Sequence, residues 1–276
     1  MSETSLAGSP VGAEVRRLST KELEELRATF DREGYFVVKG LIPRDQMAQM
    51  HATLTAAFEA AQKDGSLFNG GGTLSGHLNC FPGVESRFLY DILKASGIHD
   101  LIQQIDPKVT RDPNVGCNYN LPGSTMQHYH TDYPFSKSFM IANFAVVDTI
   151  IANGAMQAAP GTHKKYYKYW QFAMENPKDT RVEMQQGDVM VRTSAMWHRG
   201  MPNLTNTARP MIALTWEDGG SKLPDPFMKE EGKIRFFPNW FKPTPLGRIR
   251  ERTFVAAPIL YSTYRFVDSL FSDKGA

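Results

Sequence analysis

"GDVMVRTSAMWHRGMPNLTNTARPMIALTW", residues 187–216, reads as two short strands joined by an irregular polar connection. "DVMVRT" and "RPMIALTW" carry β-branched and large apolar residues, and "QGD" before them is a turn signal. The same texture extends upstream to about residue 114. "GCNYN", "FMIANFAVV" and "GAMQAAP" read as strands, with "LPGS", "NG" and "PGTH" as turns. Many short, closely spaced strands imply a sandwich or barrel. A charged insert, "HKKYYKYWQFAMENPKDTR", interrupts the series.

Working outward, "STKELEELRATFDREG" starts a helix at Ser19, with Glu22 completing a capping box and Gly34 ending the run. "YFVVKGLI" follows as a strand, and Pro43 and Asp45 open a second helix with an apolar face of Met47, Met50, Leu54 and Phe58. "FNGGGTLSGHLNCFPG", residues 68–83, reads as a mobile Gly-rich surface loop placed to cover a site. The segment 246–272 reads as one or two helices packed on the outside or against a second subunit. The expected organisation is a flexible tail over 1–18 and one mostly β domain with flanking helices over 19–276. Its double-sheet core is expected at about 114–217, with an extension over 218–276.

Composition limits the functions available. Lys and Arg total 31 against 29 Asp and Glu, a net charge of +2. That balance gives no reason to expect nucleic acid or a membrane surface as partner. No stretch of about 18 apolar residues exists to form a membrane span. Cys80 and Cys117 do not form a disulfide framework and read as reduced thiols, which suits the cytoplasm. The expected partner is a small-molecule substrate, for a monomer or homodimer.

The chemistry concentrates in "QHYHTDYPF", residues 127–135. On a strand, residues i and i+2 share a face, so His130 and Asp132 offer an imidazole and a carboxylate toward one point, with Thr131 turned away. Two imidazoles and one carboxylate on one face of a metal suit a mononuclear iron oxygenase with open positions opposite. His198 is the best candidate third ligand. His128 shares the face of His130 and is a rival. His51 on the second helix, His99 in "SGIHD", a turn, and His77 and His163 in loops are weaker candidates. Arg209 lies eleven residues beyond His198. Its planar fork suits the far carboxylate of a 2-oxoglutarate chelated to such an iron.

These features together resemble the phytanoyl-CoA dioxygenase family of iron(II)/2-oxoglutarate oxygenases. The resemblance rests on His-x-Asp at 130–132, "NGAMQAAPGTHK" at 153–164, "GD" at 187–188 leading to "WHRGMPN", Arg209, and "EGYFVVKGLIP" near the start. It implies a double-stranded β-helix, or jelly roll. It implies His130, Asp132 and His198 as ligands to Fe(II), Arg209 as the 2-oxoglutarate clamp, and O2 as co-substrate. Thr162, Gln127, Asn118 and Asn143 become candidates for hydrogen bonds to the co-substrate. His128, Tyr133, Phe135 and His77 become candidates for the substrate wall.

Two departures stand out. Gly200 replaces the Ser or Thr that often follows the distal histidine by two residues, and Asn143 replaces a Trp of some members. The carboxylate at 132 argues against halogenation. The implied reaction is hydroxylation of an unactivated C–H in a small or medium-sized metabolite of secondary metabolism, with release of succinate and CO2. Ring closure, desaturation and epoxidation are open to the same site. The alternatives are a non-catalytic jelly-roll binding protein and a cupin-type metal oxygenase that makes no use of 2-oxoglutarate.

Overall fold

A computed structural model describes residues 15–67 and 71–272. In chain order its elements are α1 (Thr20–Glu33), β1 (Tyr35–Val38), α2 (Arg44–Lys63), β2 (His77–Phe81), α3 (Arg87–Ala95), α4 (Ile98–Ile105), β3 (Asn114–Asn120), β4 (Met140–Ala145), β5 (Gln157–Ala158), α5 (Tyr169–Glu175), β6 (Thr180–Arg181), β7 (Val189–Thr193), β8 (His198–Arg199), β9 (Arg209–Thr215), β10 (Arg235–Phe237), α6 (Pro245–Ala256) and α7 (Pro258–Phe271).

One antiparallel sheet runs β1-β7-β4-β9-β3-β2-β10, and a small sheet runs β6-β5-β8. This is the jelly-roll arrangement, with helices on the outer face of the large sheet. The two strands of the 187–216 stretch do not pair with each other. β4 sits between them, opposing Arg192 with Ile141 and Ile141 with Thr215.

Two apolar cores result. The larger packs Phe36, Met47, Leu54, Leu93 and Ile102 against Phe144, Val191 and Trp216. The smaller lies between the sheets and is rich in methionine: Met184, Met190, Met196 and Met211 with Ala158 and Val182. Unbranched methionine fills irregular gaps where a wide sheet faces a narrow one.

The "GD" pair has a mechanical reason. Gly187 adopts φ +92°, and a Cβ there would meet the Ile42 carbonyl at 2.2 Å. Asp188, buried, accepts from Gly40 N, Lys39 Nζ and Gln185 N, each at 2.8 Å. The start of β7 is thereby fastened to the end of β1, which fixes the register that carries Arg192 inward.

Several expectations are corrected. β1, β2 and β10 lie outside 114–217 yet belong to the large sheet. Within 68–83, residues 68–70 lie outside the described residues, and His77–Phe81 is a strand inside the sheet, not loop. Main-chain pairing to β3 overrides the local glycine signal there. His99 sits in α4, not in a turn, with its ring against Tyr90 and Trp216. "GAMQAAP" contributes only two strand residues. Of the expected 1–18 tail, residues 1–14 lie outside the described residues. Leu18 is buried and its N–H donates to Ser96 O. Cys80 and Cys117 face each other across β2 and β3 as free thiols. Their mutual hydrogen bond and burial push the Cys80 thiol up. No helix among the described residues is long and apolar enough to cross a membrane.

Candidate functional site

His130 and His198 meet in a backbone bridge: each residue's N–H donates to the other's carbonyl, at 2.9 and 3.0 Å. His198 opens β8, and His130 is the single bridge residue of its segment, so "HTD" is a bend pinned to the small sheet and not a run of strand. The bend brings Asp132 round. Its N–H donates to Ser194 O at 3.1 Å, and its Oδ1 lies 3.4 Å from His198 Nε2 and 3.9 Å from His130 Nε2. One ligand-type atom from each of the three residues lies within 4.8 Å of the others.

The second ring nitrogens set the tautomers. His130 Nδ1 lies 2.8 Å from His128 O, and His198 Nδ1 lies 2.9 Å from Met196 O. A carbonyl only accepts, so both Nδ1 carry the proton and both Nε2 present lone pairs to the shared point. Burial, with His198 alongside, pushes His130 down to about 3, which keeps its ring neutral.

Asp132 is held in the opposite sense. Burial, the largest single influence, works to raise its pKa, but the Arg192 guanidinium and the two histidines together outweigh it and hold the carboxyl well below the usual range. Arg192 Nη1 donates to Asp132 Oδ2 at 2.6 Å and its Nε donates to Asn143 Oδ1 at 3.0 Å. One carboxylate oxygen is thus pinned while the other faces the histidines. Sequence reasoning missed Arg192. The available signal was a cation two residues after Met190 in an otherwise apolar strand, on the face that Met190 buries.

The three side chains open into a cavity of about 380 Å³ that Arg209, Asn118, Gln127 and Asn143 also line. Arg209 is 6% exposed, and burial pulls it down to about 10. Its Nη2 makes one long bond to Gly154 O, 3.4 Å, and its Nε is buried with no partner. The donor set fits an oxygen-rich dianion chelating a metal: neutral imidazoles, a carboxylate, and a guanidinium with unused donors.

Gln127 Oε1 accepts from Gly200 N at 2.9 Å. A Cβ at Gly200 would approach Gln127 Oε1 at 2.7 Å, so glycine there goes with the glutamine's position.

The other expected residues separate. Thr162 does not line the cavity. Its hydroxyl donates to Ala159 O at 2.7 Å and accepts from Trp197 N at 3.0 Å, so it supports the strand entering His198. Thr131 does not turn away; it lines this cavity and an adjacent one. His128 is outside the three-residue cluster and faces the adjacent cavity. Tyr133 packs on Phe139 and Phe135 on Tyr166, and neither lines either cavity. His77 is buried behind the wall, its Nε2 2.7 Å from Thr125 O and its ring 6.2 Å from that of Trp240.

The adjacent cavity, about 330 Å³, shares Gln127, His130, Thr131 and Trp240 with the first. Its far wall is Phe254 from α6 with Tyr261 and Arg265 from α7. The C-terminal helices therefore do not pack on an unrelated outer surface. Glu251 of α6, fully buried, holds them in place: its Oε1 accepts from Gly72 N, Ser75 N and Ser75 Oγ. α5, from the charged insert, stacks Phe172 on Trp197 at 4.3 Å, and Trp170 N donates to Ser269 Oγ of α7.

The chain is similar to known proteins in sequence and fold. The chain is 24% identical over 212 residues to the multifunctional dioxygenase ausE of Emericella nidulans, covering 68% of this chain and 70% of that one. Among solved structures it resembles the epimerase SnoN, described in complex with Fe3+ and alpha ketoglutarate, with TM-score 0.56, 17% identity and coverage of 71% and 84%. It also resembles the non-heme alpha ketoglutarate dependent carbocyclase SnoK, with TM-score 0.57, 15% identity and coverage of 78% and 91%. Residues 30–211, most of the chain, match the pattern of one family, and the protein belongs to it: the phytanoyl-CoA dioxygenase (PhyH) family.

Proposed function

We propose that this dioxygenase hydroxylates an unactivated C–H bond of a small or medium-sized metabolite, consuming O2 and 2-oxoglutarate and releasing succinate and CO2. Iron(II) would be held by His130 Nε2, Asp132 and His198 Nε2, and the far carboxylate of 2-oxoglutarate by Arg209. The observation that carries the reading is the pairing, in one cavity, of the convergent His-Asp-His atoms with a buried arginine that has unused donors. With 2-oxoglutarate, bound iron supplies the oxidising power drawn from O2.

The chain's own residues do the rest. The His128 and Met196 carbonyls hold the two imidazoles in the tautomer that presents Nε2. Arg192 keeps Asp132 ionised and stops it rotating. Gln127 is steadied by Gly200, and with Asn118 and Asn143 it offers polar contacts on the cavity wall. Met190, Met211 and Val182 exclude water below. A cupin-type oxygenase without 2-oxoglutarate has no use for Arg209. A cytoplasmic setting belongs to the same reading and is supported by the two free thiols.

The test needs no substrate. Metal-free protein under argon receives iron(II) and then 2-oxoglutarate while the visible spectrum is recorded. A weak charge-transfer band that requires both and is absent in His130→Ala is the expected result. Iron binding without the band would sink the 2-oxoglutarate assignment.

A further inference from the structure

The adjacent cavity has a specific chemical character. Three rings form its walls, those of Trp240, Phe254 and Tyr261. Phe241, Phe254 and Tyr261 pack edge and face in a continuous series, and Tyr261 stacks on His128 at 4.8 Å between centroids. Such a lining suits a flat, ring-bearing body.

Among the lining residues Arg265 is the only Lys, Arg, Asp or Glu. Its Nη1 donates to Tyr129 O at 2.9 Å and its guanidinium lies over the Tyr169 ring at 4.5 Å. Neither partner carries a negative charge, and no carboxylate pairs with Arg265 among the described residues. Beside it, His128 Nδ1 lies 2.9 Å from Ser262 Oγ, and its Nε2 is buried with no partner. Partly buried cations normally find a counter-charge. Here the described residues provide none, and the neighbouring polar atom is also unsatisfied.

We propose that this aromatic cavity is the substrate chamber of the enzyme and that its substrate is an apolar, ring-bearing carboxylate, the acid group meeting Arg265 and His128 Nε2. The inference rests on the oxygenase reading above, because the chamber is a substrate site only if the shared His130 wall leads to the oxidising centre. Within that reading it fixes polarity: the acid end lies toward α7, and the carbon to be oxidised lies toward His130.

The experiment compares two probes of like shape, 2-naphthylacetate and 2-(2-naphthyl)ethanol. Both are titrated calorimetrically under argon into protein loaded with iron(II) and saturating 2-oxoglutarate, after the charge-transfer band has been recorded. The expected result is a carboxylate preference of about tenfold or more. The preference collapses toward unity in Arg265→Met, is partly kept in Arg265→Lys, and is unchanged in Arg250→Met, which removes an exposed arginine of the same helix pair. Should Arg265→Met fail to fold, the wild type still decides. Raising salt from about 0.05 M to about 0.5 M weakens the carboxylate and spares the alcohol if the contact is ionic. Equal affinities, no binding of either probe, or a preference lost with Arg250 and kept without Arg265, overturns the inference and leaves the oxygenase reading intact. Absence of the band strikes that reading instead, and the same titrations on metal-free protein still report whether the chamber selects carboxylates.

Discussion

Replacing Arg209 with methionine separates two properties that usually fall together. The guanidinium is 6% exposed, makes one 3.4 Å bond, leaves Nε without a partner, and meets no carboxylate among the described residues. The fold therefore carries an uncompensated buried cation. Methionine keeps most of the stem and removes the charge. Relief of an uncompensated buried charge is worth about 1–4 kcal/mol, and each kcal/mol raises the melting temperature of a chain this size by about 2–4 °C. The bound co-substrate loses the partner of its far carboxylate. Truncating one side of a buried charge pair costs about 2–5 kcal/mol, or roughly thirtyfold to several thousandfold in Kd. Arg209→Met is thus expected to melt higher than wild type as metal-free protein and to bind 2-oxoglutarate at least ~30-fold more weakly. Thermal unfolding and anaerobic titration of the charge-transfer band measure the two. An unchanged Kd would show that the clamp lies elsewhere. A lowered melting temperature would show that the guanidinium is compensated after all.

Three further outcomes follow from the same geometry. His130→Ala, Asp132→Ala and His198→Ala each lower affinity for iron(II) by about a hundredfold or more, read by metal content after dialysis; retention of stoichiometric iron in any one removes that residue from the ligand set. Arg192→Met leaves Asp132 Oδ2 and Asn143 Oδ1 without their donor, at about 1–3 kcal/mol in the metal-free protein. A divalent cation resupplies positive charge to Asp132, so the melting shift on adding Co(II) is larger in Arg192→Met than in wild type, and equal shifts refute the role assigned to the arginine. Burial lowers His77 to about 4 from 6.5. The unfolded chain therefore takes the proton first, and stability falls as pH drops from about 6.5 toward 4, by up to about 3 kcal/mol. His77→Phe flattens that dependence in urea unfolding at several pH values; an unchanged slope would assign the proton to another group.

The sequence revealed the parts of the site whose residues are close along the chain or follow a strand. His130, Asp132, His198 and Arg209 were readable because a short triplet and a two-strand segment carry them. The i, i+2 argument picked two residues that do converge, but for an incomplete reason, since a bend pinned by a single bridge brings the carboxylate round. Arg192 was hidden because a lone arginine in a strand does not announce what it faces. β2 was hidden because its burial runs Leu78, Cys80 and Phe81 without clean alternation, among glycines that signal loop. Thr162 looked available from its motif, and only the Trp197 amide on it shows that it is used. The aromatic chamber was the least legible. Phe254, Tyr261 and Arg265 join His128 across a gap that no local periodicity encodes, through the docking of α6 and α7 by Glu251 and Ser269.

That docking also sets an order of events during synthesis. The ribosome delivers the histidines, the carboxylate and the arginine of the inner cavity well before it delivers Glu251 and Arg265. A nascent or clipped chain that stops short of α6 holds every residue proposed to bind iron and 2-oxoglutarate while the outer wall is missing. Such a product would expose an oxidising centre to water and to its own side chains. On the proposed reading, α6 and α7 thus serve containment while the inner residues serve oxidation.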